Sequence, residues 1–470
     1  MKKFLSIAFG CCLLQPAMAQ VTEGKLQKAL SVLINDEQFK YASYSFYVMD
    51  GNTGKKIFSV NENQGLAPAS TLKVVTATTA FKRLSPTYQY KTRLQYVGTI
   101  NPQGVLTGDL IIKGGGDPTL GSPRWQNTME DAVLKEWVNT VKKAGIKKIS
   151  GRIIADESIY DTQSAPDGWI IQDMGNYYGA GPSGLTWREN QFDILLQPTQ
   201  PGNKVIFYQM RPWMPQLTIV NELITGPAGT GDNAYVYSGP FSNTMYLRGS
   251  VGADEKNFAI GAATTDPALD CAFRLRLALK ADSIDVSNEF TTTRLLIKDQ
   301  HPLPEDATTL SITQSPTMEK IVYWFLRKSV NLYGEHFVKT FAVEDKLPVS
   351  TAVGVQQMRR FWQSLGIDSN ALNIYDGSGL SPANRVTTAS LARIMYLAQK
   401  ETWYKYFYEA LPTINNIKMK DGYINGVRAY TGYTTPKDGP PLVFALIVNN
   451  FSGTPSSARV KMWRLLDELK

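Results

Sequence analysis

Strand-like runs stand near both ends of this 470-residue chain, and that pairing constrains the fold more than any single motif. Near the start, SYSFYVMD and KIFSV flank Asp50-Gly51-Asn52-Thr53-Gly54, a strong hairpin signal. Near the end, VRAYTGYTT and PLVFALIVNNF flank a Lys-Asp-Gly-Pro turn. Behind them SSARVKMWRLLDELK carries Val460, Trp463, Leu466 and Leu469 at helical spacing after Thr454-Pro455. The pattern predicts one sheet built from the two ends of the chain, with a terminal helix. What lies between must interrupt that domain.

The chain is too long for one compact core and is expected to split into two or three domains. Residues 93–305 carry short alternating runs such as YVGTI, GDLIIKG, GRIIAD, KVIFYQM, AYVYSG and TMYLRG, cut by Gly, Pro and Asn, and read as β-rich. From about residue 306 to 412 the pattern is helical: MEKIVYWFLRK, VQQMRRFWQSLG and TTASLARIMYLAQK each have an apolar face. A further amphipathic helix is expected over 24–35. The predicted class is therefore α/β multi-domain, a domain over 20–92 and 306–470 interrupted by a β-rich insertion over 93–305. The insertion divides into about 93–163 with 264–305, and 164–263.

Residues 1–19 stand apart. Lys2 and Lys3 precede the apolar stretch FLSIAFGCCLL, and Ala17-Met18-Ala19 fits a small-x-small cleavage site. The apolar run falls short of the roughly 20 residues needed to span a membrane, so it reads as a secretory leader cleaved near Ala19, and the mature chain as exported. Without the leader only Cys271 remains, which rules out an intramolecular disulfide. The formal net charge of +8, two of it from Lys2 and Lys3, comes with no Lys/Arg stripe of the kind nucleic acid requires. That excess serves solubility or attraction to an anionic envelope polymer.

Several chemistries are excluded by composition. His301 and His336 are the only histidines and have no H-E-x-x-H or cysteine cluster beside them, so no metal site is expected. Gly114-Gly115-Gly116-Asp117 lacks the Gly-Lys-Ser/Thr of a phosphate loop and reads as a turn; no cofactor is implied. There is no G-x-S-x-G elbow.

LAPASTLKVVT, residues 66–76, remains. An S-x-x-K arises about once or twice by chance in a chain this long, and alone it reads more readily as part of a core helix. On a helix starting near Ala69, however, Ser70 and Lys73 share a face, and the apolar VVTATTAF that follows would bury Lys73. A buried lysine loses hydration of its charged form, and its neutral amine can take a proton from a serine. Ser329-Val330-Asn331 follows a helical segment, and Tyr430-Thr431-Gly432 lies on a late strand. The order matches the S-x-x-K, S-x-N and K-T-G set of penicillin-binding proteins.

On these three motifs, and on GDLIIKGGGDPTL, GRIIADESIYD, SPTMEKIVYWFLRKSVNLYGEHF and YDGSGLSPANRVT in that order, the chain resembles the PBP4-like, S13 family of D-alanyl-D-alanine carboxypeptidases/endopeptidases. The resemblance covers nearly the whole mature chain. It implies a transpeptidase-like fold interrupted by a large insertion, Ser70 as acylated nucleophile and Lys73 as its base. Ser329 would relay a proton to the departing D-alanine, Asn331 would hold the substrate amide, and Thr431 would bind the terminal carboxylate, with Gly432 beside it among the substrate-binding residues. The backbone N–H groups of Ser70 and Tyr433 would form the oxyanion hole, and Asp156 would meet a stem-peptide amine. The motif lysine is Tyr430 here, which keeps a hydrogen bond and loses the charge, and Arg428, two residues away on the same strand face, is the candidate to compensate. The resemblance implies peptidoglycan stem peptides as substrate, β-lactams as covalent inhibitors and a periplasmic location. A peptidoglycan-binding pseudoenzyme is the alternative, with a serine β-lactamase third; a homodimer and a peripheral membrane contact stay open.

Overall fold

The computed structural model describes residues 11–287, 289–437 and 439–470; the first ten residues of the expected leader lie outside them. The elements that position the site are helices α1 (Cys11–Ile34), α2 (Lys73–Leu84), α3 (Met318–Arg327), α4 (Asn331–Glu344), α5 (Thr388–Ala398) and α6 (Pro455–Asp467). The strands are β1 (Ser43–Asp50), β2 (Lys56–Val60), β3 (Thr413–Ile414), β4 (Ile417–Ile424), β5 (Val427–Thr434) and β6 (Leu442–Asn449). The described residues divide into two compact units: residues 11–83, 322–329 and 358–470, and residues 84–321 and 330–357.

In the first unit the six strands form one antiparallel sheet in the order β3-β4-β5-β6-β1-β2. The two chain ends meet where β1 pairs β6, Ser43 opposite Asn449 through to Asp50 opposite Leu442. LVFALIVN of β6 is apolar without alternation because both its faces are covered. One face carries Phe46, Val48, Phe444, Leu446 and Val448 against Leu26, Leu30 and Leu33 of α1 and Met462, Leu465 and Leu466 of α6. The other lies under α5: Tyr433 Oη donates to Met395 O at 2.7 Å, and the Ser45 and Thr388 hydroxyls are 2.6 Å apart. Each Leu or Phe so buried stabilises by roughly 1.5–3 kcal/mol, so the closure of the two ends is held mainly by apolar area. Helix α1 runs well N-terminal of the amphipathic helix expected over 24–35.

The second unit holds a seven-stranded sheet formed by strands from 91–156 and 285–314, packed on helices Glu130–Lys143 and Pro267–Ala281. Trp137, Trp187, Leu275 and Cys271 fill its core, and burial pushes the Cys271 thiol up. A three-stranded and a four-stranded sheet from residues 191–263 share a separate core around Ile194, Met214, Val236 and Leu247. Gly114 sits where a Cβ would come within 2.2 Å of Gly184 O, and Asp117 Oδ1 accepts from the Thr119 N–H and hydroxyl, so the glycine run is a packed turn. Among the described residues no helix is long and apolar enough to cross a membrane.

The division departs from the sequence expectation in three stretches: residues 84–92, 306–321 and 330–357, expected with the split domain, group with the second unit. Side chains of α4 explain the last of these. Tyr333 Oη donates to Glu189 at 2.6 Å, His336 Nδ1 donates to Gly116 O at 2.8 Å, and Lys339 pairs with Asp161. A helix with apolar residues on all sides and polar tips satisfied this way belongs to the body it is bonded into.

His336 gives this unit a pH dependence. Burial removes hydration from its imidazolium and lowers its pKa to about 3, the hydrogen bond to Gly116 O opposing only in part, while Nε2 accepts from Thr186 Oγ1 at 2.9 Å. The unfolded chain binds the proton at the ordinary pKa of 6.5 and the folded chain does not, so stability is full above 6.5 and declines as pH falls from 6.5 toward 3. From pH 7 to pH 5 the loss from this residue is about 2 kcal/mol. Urea unfolding at the two pH values is expected to show it, and His336→Gln to remove most of the difference.

Candidate active site

Ala69–Leu72 forms a 3-10 turn that runs into α2 at Lys73. Thr71 Oγ1 donates to Pro68 O at 2.7 Å and closes the turn, and Ala69 adopts a left-handed φ of 46° directly before Ser70. A non-glycine residue held there costs of order 1–3 kcal/mol and persists only where its surroundings fix it. They do so here. Ala67 exchanges two hydrogen bonds with the Asn449 side chain of β6, at 2.8 and 3.1 Å, and Leu66 exchanges two with Val386.

The turn delivers the pair that the S-x-x-K spacing predicts. Lys73 Nζ lies 2.9 Å from Ser70 Oγ, the lysine side chain is fully buried, and Nζ also donates to Ser378 O at 2.7 Å. Its Nζ lies 5.7 Å from the centre of the Phe325 ring of α3, one turn ahead of Ser329, which takes a left-handed φ of 57° after the helix ends.

YDGSGLSPAN supplies the acceptor for Lys73. Asp376 accepts from Gly379 N, Ser381 N and Asn384 Nδ2 at 2.7–2.9 Å, folding the segment into a loop whose Gly377 O receives the Thr76 hydroxyl. Gly379 has φ 84°, and a Cβ there would lie 1.9 Å from Ala69 O, so only glycine fits between this loop and the residue before Ser70. Sequence reasoning used this segment as a family mark and did not see its role in seating Lys73.

The strand that lies against Ser70 is β4, one away from the strand that carries Tyr430-Thr431-Gly432. Strand β5 is interior, paired to β4 on one side and β6 on the other. Tyr430 is 1% exposed and packs in the apolar core under α1 and α6. Arg428 is on that same side, its guanidinium 5.0 Å from the Tyr423 ring and its Nη1 3.5 Å from Tyr430 Oη. Thr431 Oγ1 donates to Phe444 O within the sheet, and Gly432 backs onto Lys418 O and Met419. The Tyr433 backbone lies between two paired strands, Lys418 on one side and Val443 on the other, so its N–H has no open edge to serve as an oxyanion donor. Tyr430, Thr431, Gly432, Tyr433 and Arg428 therefore form sheet interior and core.

Strand β4 has the open edge, because β3 covers it only at Ile417 and Lys418. Gly422 on β4 lies against the nucleophile's backbone: a Cβ there would be 2.9 Å from Ser70 N and 2.7 Å from Pro68 O. Two residues earlier on the same face is Lys420, 2% exposed, directly opposite Thr431 in register. The β4 segment that meets Ser70 at Gly422 reads Lys420-Asp421-Gly422, a lysine and a glycine at the spacing of K-T-G with aspartate between them. Lys420 Nζ donates to Asp421 O at 2.7 Å and to Asp421 Oδ1 at 2.8 Å.

Two sequence candidates belong to the second unit. Asn331 starts α4 and its Nδ2 donates to Tyr178 O at 2.8 Å. Asp156 ends a strand, accepts from Ser158 N at 3.0 Å and lies 3.8 Å from Lys113 Nζ, the behaviour of a turn residue. Among the described residues no group of three or more His, Cys, Asp or Glu could hold a metal ion.

A profile of the D-Ala-D-Ala carboxypeptidase 3 (S13) family matches residues 26–469, nearly the whole chain. The protein belongs to the S13 family. It is 24% identical over 468 residues to a D-alanyl-D-alanine carboxypeptidase of Actinomadura sp. (strain R39), covering 93% of this chain and 84% of that one. With the carboxypeptidase DacB of Haemophilus influenzae it shares 22% over 440 residues, 89% of this chain and 88% of the relative. The crystal structure of penicillin-binding protein 4 (dacB) from Haemophilus influenzae superposes with a TM-score of 0.78 at 21% identity, covering 93% of this chain and 98% of that one, so the S13 protein has that α/β multi-domain fold. An S13 peptidase is a serine hydrolase of D-Ala-D-Ala peptides, and this chain is a serine-type DD-peptidase by family.

Proposed function

We propose that the protein acylates on Ser70 to trim D-Ala-ended peptidoglycan stem peptides or to cleave the cross-links made from them. The observation that carries this reading is the buried Lys73 amine 2.9 Å from Ser70 Oγ, beside the open β4 edge. Lys73 in its neutral form accepts the Ser70 proton as the Oγ–carbon bond forms. The carbonyl–nitrogen bond then breaks and the leaving amine takes a proton through Ser329. Water hydrolyses the ester with Lys73 again as base. Charge developing on the carbonyl oxygen meets the Ser70 N–H and an N–H of the β4 edge beside Gly422, donors fixed before the reaction starts.

Lys420 on β4 supplies the motif lysine that Tyr430 lacks, so Arg428 need not replace it and the tyrosine no longer argues for a pseudoenzyme. Asn331 keeps the substrate-amide role on the S-x-N pattern alone. A β-lactam imitates the D-Ala-D-Ala amide and should form the same ester. Peptidoglycan as substrate implies the cell envelope, and the Lys2-Lys3 leader with Ala17-Met18-Ala19 supports export to the periplasm.

The test is chromatography and mass analysis of stem peptides and cross-linked muropeptides after incubation with the mature chain. Cleavage at D-Ala, reduced about 10⁴-fold or more by Ser70→Ala, is the expected result. Equal cleavage by the variant would assign the activity elsewhere.

A further inference from the structure

Strand β4 presents Lys420-Asp421-Gly422 at the place where the family pattern has K-T-G, and the middle residue changes what that edge can bind. A threonine hydroxyl there donates a hydrogen bond, whereas a carboxylate only accepts. Asp421 also occupies the lysine. Two of the three Lys420 N–H donors go to Asp421 O and Asp421 Oδ1, at 2.7 and 2.8 Å, and the lysine is 2% exposed. The Asp421 side chain remains 40% exposed at the open edge.

Asp421 is a charge and not a neutral acid. Burial pushes its carboxyl up, but the Lys420 ammonium and hydrogen bond outweigh that, Arg428 adds to them, and the pKa ends below the ordinary 3.8. Arg428 shares the sheet face of Asp421 by register, but its guanidinium lies over the Tyr423 ring and beside Tyr430, while the Asp421 carboxylate reaches the exposed edge next to Gly422. An incoming carboxylate therefore meets a neutralised lysine and a like charge.

We propose that Asp421 selects the substrate class of this site: peptides whose leaving amine carries no free carboxylate, such as an amidated residue or a cross-bridge amine, in preference to free D-Ala-D-Ala ends. The proposal rests on the Ser70 acylation reading above. A charge-assisted hydrogen bond to the substrate carboxylate is worth roughly ten- to a hundredfold, and its loss sets the size of the preference.

Two stem peptides identical except for a D-Ala-D-Ala acid or a D-Ala-D-alaninamide end separate the possibilities. The kcat/KM for each is measured on the mature chain, on Asp421→Thr, and on Asp421→Asn, which keeps the side-chain shape should threonine disturb the strand. The unaltered protein is expected to favour the amide at least tenfold, and both variants to lower that ratio at least tenfold. A stability effect alone would reduce both rates and leave the ratio in place. Preference for the acid in the unaltered protein, or a ratio unmoved in both variants, overturns the proposal and leaves the acylation reading standing. Cleavage of neither peptide, with no β-lactam adduct in any of the three proteins, overturns the acylation reading and the proposal with it.

Discussion

Lys73→Met is expected to lower the rate of Ser70 acylation by about 10³-fold or more while leaving the protein folded. The amine is fully buried 2.9 Å from Ser70 Oγ, and His336 is held by Gly116 and Thr186. A hydroxyl without its base is a poor nucleophile at neutral pH. Methionine has nearly the same shape, so the core around Phe325 stays filled, and the main structural cost is the unpaired Ser378 carbonyl, about 1–3 kcal/mol. Stopped-flow acylation by a chromogenic β-lactam, with a thermal melt alongside, separates the two effects. A variant that acylates at the normal rate would remove Lys73 from the chemistry.

The second large effect contrasts two strands. Lys420→Ala should cut kcat/KM by about a hundredfold, because it removes the amine that holds the Asp421 carboxylate and carbonyl at the β4 edge next to Gly422 and leaves that charge without its ion pair. Tyr430→Lys, which would complete the motif as the sequence spells it on β5, should not raise activity. It puts an ammonium among Leu26, Met419, Leu446 and Met462 and is expected to destabilise the first unit by roughly 3–5 kcal/mol. Activity and urea unfolding measured on the same two proteins decide which strand carries the motif. If Tyr430→Lys were stable and more active, the assignment to β4 would fail.

These two strands also show where sequence reasoning reaches its limit. The sheet built from both chain ends was legible because β1, β5 and β6 are long apolar runs with turn residues between them. Ser70 and Lys73 were legible because a short i, i+3 spacing fixes their separation once a helix starts there. The third motif depends on which of two adjacent antiparallel strands is the edge. Nothing local in Val427–Thr434 marks it as interior; that follows from β6 pairing on its far side. Strand β4 was hidden by Asp421-Gly422, a dipeptide whose local preference is a turn. Only the lack of room for a Cβ between Gly422 and Ser70 N reveals why glycine is needed there.

The grouping of α4 was hidden for a similar reason. Asn331–Glu344 has the same helical signature as the segments that follow it in sequence, and what assigns it to the second unit is a set of long-range bonds from Tyr333, His336 and Lys339. The carbonyl that holds Lys73 comes from residue 378, separated from it by the entire insertion. Periodicity carries no information about such partners.

Intact-protein mass after incubation with benzylpenicillin, comparing the mature chain with Ser70→Ala, tests the central claim most directly. A single adduct of the drug's mass on the unaltered chain, absent from the variant, is the predicted result, and Asp421→Thr should form it faster because the drug carries a carboxylate. No adduct on folded protein at high drug and long times, or an adduct that survives Ser70→Ala, would contradict the acyl-enzyme account.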